Sequence, residues 1–289
     1  MDYSLVNCRN NDIIKQLRGF DGLIWHWGPE EAHYAVPLTI SLEKIGVKVF
    51  PDFSTCWHFD NKIAQYYLLE TCNITKVPTY IFYSKESAIN WANTTTWPKV
   101  FKLKNGASST NVKLIQSKRK AIKLINQAFS SGFYPNDRLS ILNNQTWKFK
   151  RDHTFRAFLG IINGVRIILF GSPSEKFLSK EKGYVYFQDY IPNNTYDTRI
   201  VVVGDKAFAV RRYNRKNDFR ASGSGAKEYD HTFFEQKLIQ TSFLLSKEIQ
   251  SQTLACDYIK NEKGDYLLVE ISYGFVIGSF YENCHGYWT

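Results

Sequence analysis

The sequence predicts an α+β protein of two or three subdomains, and three observations predict it. The chain has 289 residues with 44% hydrophobic content and mixed charge, enough for a sizeable core and unlike a disordered chain. In the first half, short strand-like apolar runs alternate with longer segments of helical periodicity. In the second half, two pairs of alternating runs are each joined by a tight polar turn, the pattern of hairpins.

Along the chain, "FDGLIWHW" (20–27) predicts a strand, "EEAHYAVPLTISLEKIG" (30–46) a helix interrupted near Pro37, and "KVFP" (48–51) a second strand. "DNKIAQYYLLETCNI" (60–74) opens with Asp/Asn capping chemistry and continues as an amphipathic helix before the strand "KVPTYIFY". "WPKVFKL" (97–103) is a strand followed by a turn-rich loop, and "KRKAIKLINQAFSSG" (118–132) is a helix closed by Gly132. The stretch 136–183 is the least legible and reads as an insertion. "GYVYFQDYI" (183–191) is a strand, "TRIVVVGDKAFAVRR" (198–212) a hairpin, 231–250 a long helix, and "TLACDYIKNEKGDYLLVEIS" (253–272) a second hairpin.

A net charge of +10 favours anionic partners without choosing among phosphates, carboxylates, nucleic acid and membrane surfaces. The basic residues are spread through strands and loops, with no helix-turn-helix, zinc-finger or RNP signature, so a nucleic-acid partner is not expected. Five scattered cysteines without a CxxC pair predict reduced thiols in a cytoplasm. No secretory leader is expected at the N-terminus. The strongest membrane candidate, "FLGIINGVRIILF" (158–170), is too short for a span and contains Arg166.

The chemistry concentrates in the two hairpins. "YLLVEISYGF" (266–275) reads as a buried strand carrying Glu270, a costly placement unless something answers its charge. Glu270 and Ser272 lie two apart and share a face, and Asp257 stands on the partner strand. Three oxygens so placed suit Mg²⁺. Pairing of the carboxylate with an arginine is the alternative, and the hairpin alone favours it. The preceding segment 197–225 shifts the balance, gathering Asp197, Arg199, Arg211, Arg212, Arg215 and Arg220 before "ASGSG". Arginine's planar fork matches phosphate, and small residues let backbone approach an anion. Arg215 and Lys216 read as a solvated edge; Arg199 and Arg211, within apolar alternation, read as facing a ligand. Lys102 interrupts an aliphatic strand just before a Gly/Ser/Thr/Asn loop, where it could reach a phosphate. Lys62, at a helix start, could do the same or lie on the surface.

These segments, in this order, resemble the ATP-grasp superfamily, and within it the ribosomal-protein glutamate ligase branch. The resemblance runs from about Phe20 to Phe275 and is strongest in "DTRIVVVGDKAFAVRR", "NDFRASGSG" and "CDYIKNEKGDYLLVEIS". It implies two α+β lobes gripping ATP, preceded by a small Rossmann-like domain. The implied divisions are 1–60, a short front domain; 61–187, a central lobe with the 136–183 insertion; and 188–289, a C-terminal lobe with the metal site. It implies ATP and Mg²⁺, with Mn²⁺ as a substitute, activating a carboxylate as an acyl phosphate that an amine captures as an amide.

Carried over by motif, Lys62 and Lys102 match the phosphate-contacting lysines, and Asp189 and Tyr190 of "QDYI" the hinge beside adenine. Asp197 falls near the ribose. Arg211, Arg212, Arg220 and Ser222 match the phosphate end, and Asp257, Glu270 and Ser272 the metal positions. Ser272 and Ser222 stand where the resemblance expects asparagine, and Ser109 and Asn111 replace glycines of the flap. A narrower resemblance, through "YVYFQDYIPNNTYDTR", "EISYGF" and "CHGYW", is to bacterial members associated with surface-polysaccharide synthesis, where uronic acids are amidated. The chain stops soon after that last motif, as a shortened member would. Expected partners are ATP, an anionic small-molecule or sugar carboxylate and an amine, with a homodimer allowed. Recognition of the acid is expected in 136–183. His153 and His231 are the weak candidates for a general base; Trp25-His26-Trp27 reads as core or front-domain surface, with acceptor binding as the alternative. Two other functions compete: an ATP-grasp protein that binds nucleotide without turnover, and a binder of nucleic acid or anionic polymer.

Overall fold

Two parallel strands and a helix start the chain. In the computed structural model, which describes residues 2–106, 111–134, 138–171, 180–215, 218–221, 226–275, 277–278, 283–284 and 286–289, a short α1 (Ile13–Leu17) precedes β1 (Gly22–Ile24). Helix α2 (Ala32–Lys44) returns the chain to β2 (Lys48–Phe50), which pairs with β1 with Leu23 opposite Val49. Leu17, Leu23, Leu42 and Val49 bury one cluster between them. The expected interruption at Pro37 is corrected: α2 runs through it. Proline removes one backbone hydrogen bond, and burial of Ala35, Leu38, Thr39 and Leu42 on one face outweighs that loss. The one-turn α3 (Phe53–Cys56) follows, then α4 (Lys62–Glu70), whose N-cap Asn61 accepts from the Ala64 N–H.

The next sheet is antiparallel and four-stranded. It contains β3 (Thr79–Phe82), β4 (Lys99–Lys102), β5 (Val112–Ile115) and β6 (Val185–Asp189) in the order β3-β6-β4-β5. Helices α5 (Lys85–Thr94) and α6 (Lys118–Ala128) cover one face, packing Ala88, Ala92, Ala121 and Ile125 against Phe101 and Phe187. Gly132, after α6, takes φ +69° and lies against the Glu181 carbonyl, where a Cβ would sit 2.8 Å from that oxygen. Among the described residues, the illegible stretch contains two helices, α7 (Arg138–Asp152) and α8 (Phe155–Phe170), packed as a hairpin.

The last sheet is also antiparallel. Its strands are β7 (Tyr196–Val203), β8 (Lys206–Tyr213), the two-residue β9 (Lys227–Glu228), β10 (Thr253–Lys260) and β11 (Tyr266–Ser272), in the order β11-β10-β7-β8-β9. Helix α9 (Gln236–Glu248) covers one face through Leu238, Ile239 and Leu245 over Ile200, Val202, Leu254 and Cys256. The helix expected from 231 begins only at Gln236; His231–Phe233 form a separate 3₁₀ turn. Backbone bonds from Val77 N–H to Leu268 O and from Leu268 N–H to Thr75 O, 2.9 and 3.0 Å, tie the entry to β3 against β11. They bring the two larger sheets together. Among the described residues, no helix is long and apolar enough to cross a membrane.

Candidate active site

The face of the last sheet turned away from α9 carries a row of charge. Asp257 stands opposite Glu270 on β11 and opposite Arg199 on β7, and Asp197 opposite Arg212 on β8. Cross-strand neighbours share a face, so all five side chains project together. Arg199 Nε and Nη2 donate to the two Asp257 oxygens at 2.6 and 2.7 Å. Arg212 donates to both Asp197 oxygens at 2.7 Å, and its Nη2 also lies 2.9 Å from Asp257 Oδ2. Burial pushes the Asp257 carboxyl up, but the Arg199 and Arg212 guanidiniums more than reverse this and hold it well below the usual carboxylate range.

Glu270 is answered by lysine. Its side chain is 34% exposed, which corrects the expectation of a buried carboxylate, and its Oε1 lies 3.4 Å from the Nζ of the buried Lys62. Lys62 Nζ also donates to the Gly106 carbonyl at 2.9 Å, while Asp60 accepts from the Gly106 N–H at 3.1 and 3.2 Å. The entry to α4 thus pins the base of the loop after β4. Asn111, where that loop rejoins β5, takes φ +62°, a left-handed conformation that asparagine tolerates in place of glycine. Ser109 lies outside the described residues.

Lys102 reaches over to β6 and donates to Gln188 Oε1 at 2.6 Å; Gln188 Nε2 in turn donates to Thr79 Oγ1 at 3.2 Å and to the Val269 carbonyl at 3.5 Å. Burial pushes the Lys102 pKa down to about 8, against the pull of Glu270. Lys62, Lys76, Thr79, Lys102, Gln188 and Glu270 line one cleft between the four-stranded sheet and β11.

Other candidates are placed elsewhere. Asp189 shares the α5/α6 face with Phe187 and accepts from Lys99 Nζ at 2.6 Å. Tyr190 packs edge-on to Phe219 at 5.9 Å. Arg211 lies on the α9 side of β8, its guanidinium 4.0 and 4.6 Å from the Tyr196 and Phe233 ring centres and donating to the Phe233 carbonyl at 3.0 Å. It is not brought to the charged row. Arg220 pairs with Asp218 at 2.6 Å. The solvated edge expected for Arg215 is corrected: it is 7% exposed and stacks 4.7 Å over Trp147 of α7, a partner distant in sequence. Ser222 and Lys216 lie outside the described residues.

Trp27 is core, packed on Phe59 and Tyr273, while His26 is exposed beside Gly274. His153 sits exposed in the turn between α7 and α8, and His231 is 82% exposed beside Asp230. The sequence pattern did not single out Asp60 and Gln188, although they are the first residues of "DNK" and "QDYI".

Magnesium can be tested against these donors. Asp257 and Glu270 are cross-strand partners on one face and, as hard oxygen donors, fit an ion that takes one or two carboxylates with water and substrate phosphates; here both Asp257 oxygens accept from arginines, so such an ion would have to share them. Ser272 is otherwise engaged: its hydroxyl donates to Gly274 O at 3.0 Å and accepts from Gly274 N–H at 3.1 Å. Among the described residues, no three His, Cys, Asp or Glu side chains gather to hold a metal.

No family model matches the chain, and no curated protein matches it by sequence. Solved structures do match. Biotin carboxylase from Campylobacter jejuni aligns with a TM-score of 0.56 at 12% identity over 91% of this chain and 50% of that one. D-alanine–D-alanine ligase from Bacillus anthracis gives 0.54 at 12% identity, over 91% of this chain and 72% of that one. The ATP-grasp ligase PsnB, in complex with a phosphomimetic variant of its minimal precursor, Mg and ADP, gives 0.51 at 12% identity, over 88% and 63%. The chain spans about half the length of the biotin carboxylases it matches. With two antiparallel sheets meeting over a lysine-lined cleft and a carboxylate row at its edge, the chain has the ATP-grasp fold.

Proposed function

We propose that this chain is an ATP- and magnesium-dependent carboxylate–amine ligase, forming an amide through an acyl phosphate and releasing ADP and phosphate. The observation that carries it is the cleft itself, where buried Lys102 and Lys62 and the carboxylate of Glu270 face one another between two sheets. Two ammonium groups held in a low-dielectric cleft match the charge of a polyphosphate. Asp257 and Glu270 would hold Mg²⁺, which when bound supplies charge neutralisation at the phosphates. Arg199 and Arg212 keep Asp257 ionised and in place. Positioning and electrostatic stabilisation then do most of the work of phosphoryl transfer to the acid. In this reading the 188–191 segment with Asp189 and Tyr190 borders adenine, Asp197 lies near the ribose, and Arg220 and Ser222 serve the phosphate end.

The finer reading is membership of the ribosomal-protein glutamate ligase branch, acting in the cytoplasm on a uronic acid of a surface polysaccharide. The motifs "YVYFQDYIPNNTYDTR", "EISYGF" and "CHGYW" support it. A second reading, nucleotide binding without turnover, draws on Ser272, whose hydroxyl is taken by Gly274, and on Asp257, already met by two arginines.

Magnesium-dependent ADP release with panels of acids and amines, followed by product mass, tests the assignment. A ligase releases ADP only with both co-substrates and yields their amide mass. ADP formed with the acid alone indicates a kinase, bound ATP with no ADP under any combination indicates the second reading, and no ATP binding removes the proposal.

A further inference from the structure

The hairpin of α7 and α8 turns its most apolar side outward. Phe155, Phe158, Leu159, Ile162, Leu169 and Phe170 are 43% to 81% exposed. At 100° per residue they share one side of α8. The opposite side carries Gly160 and Gly164, which let α7 approach so closely that a Cβ on Gly164 would lie 3.2 Å from the Leu142 Cα. The buried side of α8 is thus spent on α7, and the apolar side is left to solvent. An exposed apolar surface of this kind marks an interaction site.

Charge selects the partner. From Arg138 to Phe170 the hairpin carries six basic residues (Arg138, Lys148, Lys150, Arg151, Arg156 and Arg166) against one acid, Asp152. Arg156 and Arg166 are exposed on α8 itself, by the same count Arg156 beside the apolar side and Arg166 within it. A second copy docking through the same patch would set like charges against each other. An anionic surface would meet them favourably. With 16 residues, α8 is about 24 Å long, short of the ~30 Å hydrocarbon core, so it suits a helix lying in the plane of the interface. Arginine stems can lie along the apolar layer while their guanidiniums reach headgroup phosphates.

We propose that the α7–α8 hairpin docks this protein on an anionic lipid surface, with α8 lying flat and its phenylalanines inserted among the acyl chains. Co-sedimentation with phosphatidylglycerol-containing and pure phosphatidylcholine vesicles tests it, on the unaltered chain and on F155E/F170E and R156E/R166E. Phe155 and Phe170 are 75% and 81% exposed, so their replacement removes no core contact. The unaltered chain should partition onto the anionic vesicles at least about tenfold more strongly than onto the neutral ones, and salt should weaken binding. Each double variant should lose about tenfold or more. Absence of vesicle binding at low salt overturns the proposal, as does equal binding to both lipids or binding that both variants leave unchanged. A dimer in sedimentation velocity that F155E/F170E abolishes, without lipid binding, would assign the face to self-association instead.

Discussion

Lys102 gives the sharpest test, because stability and binding should move in opposite directions when it is removed. Its pKa falls from 10.5 to about 8 on burial. At about 1.4 kcal/mol per pH unit, that drop is worth about 3 kcal/mol. The sign follows from proton counting. Below about pH 8 both folded and unfolded chains hold the proton, and the folded one bears the full cost of the buried charge. Between pH 8 and 10.5 the unfolded chain binds more protons, so this cost fades as pH rises. Lys102→Met removes it but takes the donor from Gln188 Oε1, costing about 1–1.5 kcal/mol. We predict a net gain of about 2 kcal/mol at pH 7, a rise in Tm of roughly 4–8 °C, that disappears by about pH 10.5. Losing a charge-assisted contact of about 1.5–3 kcal/mol should weaken MgADP binding roughly 10- to 100-fold. Thermal melts from pH 6 to 10.5 and calorimetric titration with MgADP provide both readouts. A variant less stable than the parent at pH 7, or with unchanged affinity, refutes the placement of Lys102 as a buried, phosphate-directed cation.

Glu270→Gln should lower ATP-dependent turnover by roughly 10²–10³ with an unchanged far-ultraviolet spectrum; full activity would remove Glu270 from the metal role. Asp257→Asn leaves Arg199 and Arg212 without their shared carboxylate and should cost about 3–5 kcal/mol in urea unfolding at neutral pH. Because Asp257 titrates below the ordinary carboxylate range, its contribution is complete above about pH 4 and is lost as pH falls further, so the parent and variant should converge in acid. Arg211→Met should lower stability by about 1–2 kcal/mol through lost stacking on Tyr196 and Phe233, yet leave MgADP affinity within about twofold. Gly164→Val should destabilise the helical hairpin by about 1–3 kcal/mol, read as lost helicity on heating, because Leu142 occupies the space it needs.

Legibility varied with the range of the interaction. Both hairpins could be read because alternation and a polar turn are local signals, and β7–β8 and β10–β11 lie where they predict. The α7–α8 hairpin could not. A short apolar run like that of α8 has the same pattern whether it is core, interface or span, and α7 lacks a clear apolar face. Arg211 and Arg212 are neighbours in sequence and both read as phosphate-directed, but the strand pleat sends them to opposite faces. Pairing of β8 with β7 then decides that Arg212, opposite Asp197, joins the charged row. Arg215 read as an edge residue because its partner, Trp147, lies 68 positions earlier in the chain.

The sequence alone determined the α+β class, the two hairpins, and the common face of Glu270 and Ser272, since side-chain period within an element depends only on that element's backbone. Tertiary structure decided what meets each charge: Lys62 at Glu270, two arginines at Asp257, Gln188 at Lys102. Those partners lie 45 to 208 positions away in sequence, on elements that only the packed sheets bring into register, a choice that no local pattern encodes.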